Sequence, residues 1–236
     1  MYHYAGNNPI KYTDPDGNCL NFVIGAAIGF ISATASEVGS RMIQGQSFKE
    51  AVTNTFSDPT SRGVILASTA IGCVTSGVSG IAINAAAKTA TTAVSVAVRT
   101  VAINTVAGAL DAGAKDIATK AIKNEEISFT GTLSTMAEGA GSALLFSGAT
   151  QGLIAHGTKM SCTTENVWLG TVKDVKYYPP KWAGSVGVIG ENVLPTTIDL
   201  VKEAAHVKNE KQKQEQEQEQ EHVKKMSQYY YNLYAK

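Results

Sequence analysis

The residues whose chemistry could do work in this chain are four histidines, three cysteines and a set of lysines interleaved with aromatic side chains. His3, His156, His206 and His222 stand apart from one another, and Cys19, Cys73 and Cys162 are spaced neither for zinc nor for a redox pair. No His-Glu-x-x-His, Cys-x-x-Cys or phosphate loop occurs. No catalytic set, cofactor or metal is therefore assigned, and the chain reads as a non-enzyme. His156 and Cys162 near a predicted helix end suggest a thiolate pair; an imidazole on the helix dipole beside an inert thiol is favoured. Lys173, Lys176 and Lys181 alternate with Trp168, Tyr177, Tyr178 and Trp182, a mixture that stacks and neutralises nucleic acid. Trp168, Lys173, Lys176 and Trp182 are the candidate contacts of the alternative reading, a nuclease-like enzyme carried by residues 162–236. A small half-buried β-unit with snorkelling lysines explains them better, and nucleic acid is disfavoured as a partner.

Composition sets the frame around these residues. The chain has 236 residues, with 20 basic and 20 acidic ones that cancel, so no global field draws it to nucleic acid or to an anionic surface. Charge is sparse before Leu110 and dense after Lys202. No basic n-region precedes an apolar h-region at the start, so no secretory signal peptide is expected.

Along the chain, small residues and aliphatic residues recur together at helical spacing. Ile24, Ile28, Ile31, Ala35 and Val38 form a stripe over 21–39, and Gly25, Gly29, Ser32, Ser36 and Gly39 form a second one beside it. Such a seam lets another helix approach closely, in a membrane or in a soluble hairpin. Ser47 with Glu50 predicts a capping box, and Asp58 before Pro59 ends one helix and starts the next. In that next helix Val64, Ile71, Val74, Val78 and Ile81 run beside Ser68, Gly72, Ser76 and Ser79. Gly25, Gly29, Ser32 and Gly72 are the candidate helix-packing seam.

Residues 86–122 predict one long helix or two, with a strand left open where Val94, Val96 and Val98 alternate. Thr135 and Glu138 suggest a second capping box, opening a helix that Gly157 terminates. Two short strands are expected at 167–178 and 184–190, the second a glycine-punctuated run whose Gly-x-x-Gly-x-x-Gly spacing reads as turn and packing glycine. A helix is expected from about Ile198 after Pro195, leading into a Gln/Glu/Lys tract at 211–221 that is a solvated helix or disordered. The fold expected is mainly α: glycine- and alanine-rich hairpins or a bundle over 19–160, a small α+β segment over 161–207 and a charged tail over 208–236.

Three uncharged runs, 17–36, 63–87 and 139–158, each reach about the ~20 residues that cross a bilayer. Gly, Ser, Thr and Ala are weakly driven into lipid, which sets a closely packed soluble bundle slightly ahead of hairpin insertion.

One stretch carries a family resemblance. Residues 2–17 read Tyr-His-Tyr-Ala-Gly-Asn-Asn-Pro-Ile-Lys-Tyr-Thr-Asp-Pro-Asp-Gly. Aromatic-x-aromatic, Asn-Asn-Pro and Asp-Pro-x-Gly follow in the order that resembles the motif closing the RHS/YD-repeat core of polymorphic toxins and Tc-type toxin complexes. Residues 1–18 would then be the end of that core motif, and 19–160 the helical pre-toxin region that such proteins place ahead of an effector tip. The resemblance implies an RHS shell in a longer parent, a cognate immunity protein, and export as cargo of a larger machine; a cytoplasmic orphan and a decayed fragment stay open beside it. In the family an aspartate of this motif takes part in autoproteolysis, and Asp14 matches it. The family's arginine and second aspartate would lie before Met1, and Asn18 stands where the family has Leu, so self-cleavage is not expected.

Overall fold

The computed structural model describes residues 18–167 and 170–234, with the backbone alone at 163–167, 170–174 and some positions of the last helix. The elements run α1 (Asn18–Ile43), α2 (Phe48–Ser57), α3 (Pro59–Ala87), α4 (Ala93–Lys123), α5 (Phe129–Gly157), β1 (Lys159–Val167), β2 (Gly170–Tyr178), a 3-10 turn (Ala183–Ser185) and α6 (Val186–Tyr234). The protein is mainly α with one antiparallel hairpin.

Helix ends follow local chemistry. The Ser47 hydroxyl accepts from Glu50 N–H while the Glu50 carboxylate accepts from Ser47 N–H, closing the expected capping box. Asp58 caps α3 by accepting from Thr60 and Ser61 N–H, with Pro59 in the first turn. Asn124 ends α4 in the left-handed region at φ 54°, where its N–H reaches the carbonyls of Lys120 and Ala121.

Several expectations are corrected. Residues 88–92 interrupt the 86–122 helix, and α4 starts after Thr92, whose hydroxyl accepts from Ser95 N–H. Val94, Val96 and Val98 are helical: Val96 is buried while Val94 and Val98, one turn apart, face outward together. Ser128, not Thr135, caps α5; Thr135 lies inside that helix and returns its hydroxyl to the Gly131 carbonyl. The run 184–190 is a 3-10 turn leading into a helix, because its glycines, three apart, meet the backbones of other helices instead of a strand partner. Strand β1 covers 159–167, where no strand was expected. Helix α6 starts at Val186, ahead of the expected Ile198, and passes through Pro195; the 211–221 tract is a solvated helix, one of the two states expected.

The helices alternate in direction. Gly25 and Gly29 of α1 meet Gly72 and Ser68 of α3, Ser79 of α3 meets Asn104 of α4, and Gly108 of α4 meets Gly139 and Ala143 of α5. These pairings make each neighbour antiparallel. The first part of α6 lies among all four long helices, and it runs parallel to α1, since Asn192 meets Ser32 and Glu203 meets Ser40.

Three of these helices, at Cys19–Ile43, Pro59–Ala87 and Ala93–Lys123, are long and apolar enough to cross a membrane. The expected third run, 139–158 of α5, is not among them; its Gly, Ser and Thr lower the hydropathy, and the Val- and Ala-rich α4 stands in its place.

Candidate functional site

At the α1–α3 crossing the predicted seam residues come together. A Cβ on Gly72 would lie 2.6 Å from the Gly25 carbonyl oxygen, and one on Gly25 would fall on the Gly72 carbonyl oxygen. Ser32 lies a turn further along α1 and points elsewhere, its hydroxyl donating at 2.7 Å to Asn192 Oδ1 of α6.

The centre of the bundle is mixed: Ile83, Val96, Ile154, Val186 and Val188 are fully buried beside Asn21, Asn104 and Asp111. Every residue from 183 to 192 is buried except the half-buried Ile189. Ser185 donates to Asn21 Oδ1 at 2.9 Å and accepts from the Ser76 hydroxyl at 2.9 Å, linking α1, α3 and the 3-10 turn. Asn104 of α4 accepts from Ser79 at 2.9 Å and donates to the Ala183 carbonyl at 3.0 Å. Lower in the bundle, Lys115 of α4 bonds Asp111 Oδ2 at 2.5 Å and Asn192 Oδ1 at 2.6 Å, with Glu191 at 3.5 Å. Asp111 is 0% exposed and Glu191 6%, so the Lys115–Asp111 pair sits out of water, where charges persist only when paired.

A second polar cluster closes the end at which α1 finishes. Arg41 donates to Asp58 at 2.9 Å and to Ser61 at 3.0 Å, Ser61 donates to Glu37 at 2.8 Å, and Lys123 pairs with Glu37 at 3.1 Å. The Ser61 hydroxyl, then the Thr60 N–H, with a smaller contribution from Arg41, hold the Asp58 carboxyl below its ordinary range.

The surface is the converse of this interior. Large apolar side chains face outward on every long helix: Val23, Phe30 and Ile31 on α1; Leu66, Val74, Val78 and Ile81 on α3; Val94, Val98, Val106 and Leu110 on α4; Leu133, Leu144, Leu145 and Leu153 on α5. Glu138 of α5 is an exposed acid among them.

Of the other predicted residues, Asp14 and Trp168 lie outside the described residues, as do all of 1–17 and the side chain of Lys173. Lys173 pairs with Thr164 in the hairpin register and Lys176 with Ser161; Lys176 is exposed, and Trp182, beyond Pro179 and Pro180, is 37% exposed. The hairpin is held to the bundle by Tyr177, whose hydroxyl donates to the Thr91 carbonyl at 2.9 Å. His156 ends α5 and Cys162 is exposed on β1. Among the described residues no three His, Cys, Asp or Glu side chains gather as a metal site. The polar interior itself escaped sequence reasoning, although Asp111 and Lys115 at i,i+4 and Glu191-Asn192 after the glycine run were its visible signs.

Comparison with protein-family models, with curated proteins and with solved structures found no match for the chain.

Proposed function

We propose that residues 18–203 form a membrane-inserting helical bundle, carried as the pre-toxin portion of an RHS-type toxin. The observation that carries this reading is the apolar exterior of the bundle, which surrounds an interior holding Asn, Asp and Glu beside its Ile and Val. A bundle built for water buries Leu, Ile, Val and Phe and exposes Ser, Asn, Asp and Lys. Here Asn21, Ser76, Asn104, Asp111 and Glu191 are buried while Val23, Leu66, Val106 and Leu145 are exposed. Fully burying such a side chain is worth about 1.5–3 kcal/mol, and the exposed part of each, 65% for Val23 and 68% for Leu66, forgoes its share until lipid covers it.

Helix geometry agrees. The three apolar helices have 25, 29 and 31 residues. At 1.5 Å per residue that is about 38–46 Å, more than the ~30 Å hydrocarbon core. Only 22%, 44% and 33% of their most apolar windows are buried, which leaves the rest for lipid. Glycine and serine at the α1–α3 crossing suit packing in a bilayer, where small residues bring helices together, and ionisable groups there face the bundle interior. This outward face outweighs the weak lipid drive of Gly, Ser, Thr and Ala that favoured a soluble bundle in the sequence. The RHS context rests on the ordered motif of residues 2–17. It brings an RHS shell and an immunity protein as partners.

Inducible expression of residues 18–236 in bacteria, in the cytoplasm and separately with an export signal, tests the reading. The protein is expected in the carbonate-resistant membrane fraction, with growth arrest and entry of a polar dye in at least one compartment. A soluble, folded protein that leaves growth and permeability unchanged in both compartments would refute it.

A further inference from the structure

The stretch 183–192 is an unusual thing to bury. It is short, rich in glycine, and bonded to polar side chains of three other helices, Asn21, Ser32, Ser76, Asn104 and Asp111, while Phe146 of α5 packs on Gly190 and its own Val186 and Val188 are fully buried. A permanently buried helix is held more cheaply by apolar packing than by a polar network. The polar part of this lining, on α1, α3 and α4, suits water as well as it suits the segment that now fills it.

We propose that residues 183–192 are a retractable plug, and that their withdrawal opens a hydrated passage for ions and small polar solutes through the inserted bundle. The inference rests on the membrane reading above and adds the permeant and its gate. The fit of the plug is set by glycine. A Cβ on Gly187 would fall on the Asn104 carbonyl oxygen and lie 2.9 Å from its carbon, one on Gly184 2.5 Å from the Gly80 nitrogen, and one on Gly190 2.6 Å from the Phe146 Cβ. Two of these three neighbours are backbone and cannot yield, so a side chain there must push the segment out. A vacated helix bearing such small side chains leaves a space on the order of 10 Å across at most. Inorganic ions pass that width and folded protein does not.

The test uses the full chain, with Cys19, Cys73 and Cys162 replaced by Ser, reconstituted in phosphatidylethanolamine–phosphatidylglycerol vesicles loaded with K+ and a fluorescent dextran. Gly187→Val is expected to raise K+ efflux on the order of tenfold over the parent at equal inserted protein, with the dextran retained. Ser76→Cys with Ser185→Cys places two thiols where hydroxyls lie 2.9 Å apart, so that oxidation ties the plug to α3. Efflux from this pair is expected to fall on oxidation and to recover with reductant. Insertion without any change in efflux, either in Gly187→Val or between the oxidised and reduced pair, would overturn the plug while sparing the membrane reading. Failure of the parent protein to insert at all would overturn both.

Discussion

The ammonium of Lys115 lies 2.6 Å from Oδ1 of Asn192, joining α4 to α6 at a buried point where the Asp111 carboxylate also binds the lysine. Asn192 accepts there from Ser32 of α1 as well, so one amide oxygen ties three helices together. The carboxyl of Glu191 lies 3.5 Å from the same ammonium.

Removing the cation should be costly. Lys115→Met leaves Asp111 and Glu191 buried without it and is expected to destabilise the protein by about 3–5 kcal/mol. The double variant Lys115→Met with Asp111→Asn should regain most of that loss, because the uncompensated charge is gone. Denaturant unfolding in detergent micelles reads both; a single variant as stable as the parent would show that the pair is not buried as described.

Glycines should divide into two kinds. Gly25→Val drives a side chain into the Gly72 carbonyl, where backbone must move, and is expected to cost about 3 kcal/mol or more. Gly148 has nothing within 4 Å of its notional Cβ, so Gly148→Ala should stabilise α5 by about 0.5–1 kcal/mol. Thermal melts of the two variants decide this, and a similar loss at both sites would contradict the α1–α3 crossing.

Acid should loosen the end of the bundle at Asp58. Its carboxyl titrates below the ordinary value of 3.8, held there by Ser61 and Thr60. The stability it contributes is therefore present above that value and lost as pH falls through the lowered one. Asp58→Asn should flatten the acid side of the stability profile, measured by unfolding between neutral pH and pH about 2. An unchanged profile in Asp58→Asn would remove Asp58 from the account.

If the bundle enters a membrane as proposed, Glu138 of α5 opposes that step. It is exposed on α5 between Leu133 and Leu144, where lipid is expected. A charged side chain at mid-membrane costs about 2.5–3.5 kcal/mol on insertion scales. Glu138→Leu should accordingly shift partitioning toward vesicles, seen as a larger bound fraction in flotation. Equal or weaker binding would argue that this face of α5 does not meet lipid.

Sequence periodicity carried the helices whose ends have local chemistry, since Ser47 with Glu50 and Asp58 with Pro59 act within one turn and are readable without tertiary structure. It failed at 184–190 because that segment is shaped by distant partners. Its glycines fit Gly80, Asn104 and Phe146, residues far away in sequence, and nothing local distinguishes such a helix from a strand. Thr135 misled for a related reason: a hydroxyl with an acid three residues on also occurs inside a helix, where the hydroxyl bonds the preceding turn. The seam of Gly25, Gly29 and Gly72 was visible as spacing, but the polar interior was not, because Asn21, Asn104 and Asn192 have no common period. The helix expected from about Ile198 begins instead at Val186, and α6 continues through Pro195.

The measurement closest to the central claim is the environment of the outward apolar face. Single cysteines at Leu66, Val74, Val106 and Leu145, in a background without Cys19, Cys73 and Cys162, would carry nitroxide labels in lipid vesicles. Frequent collision with oxygen and protection from a water-soluble nickel chelate at all four sites is the predicted result. Free access of the chelate to these labels in vesicle-bound protein would contradict it.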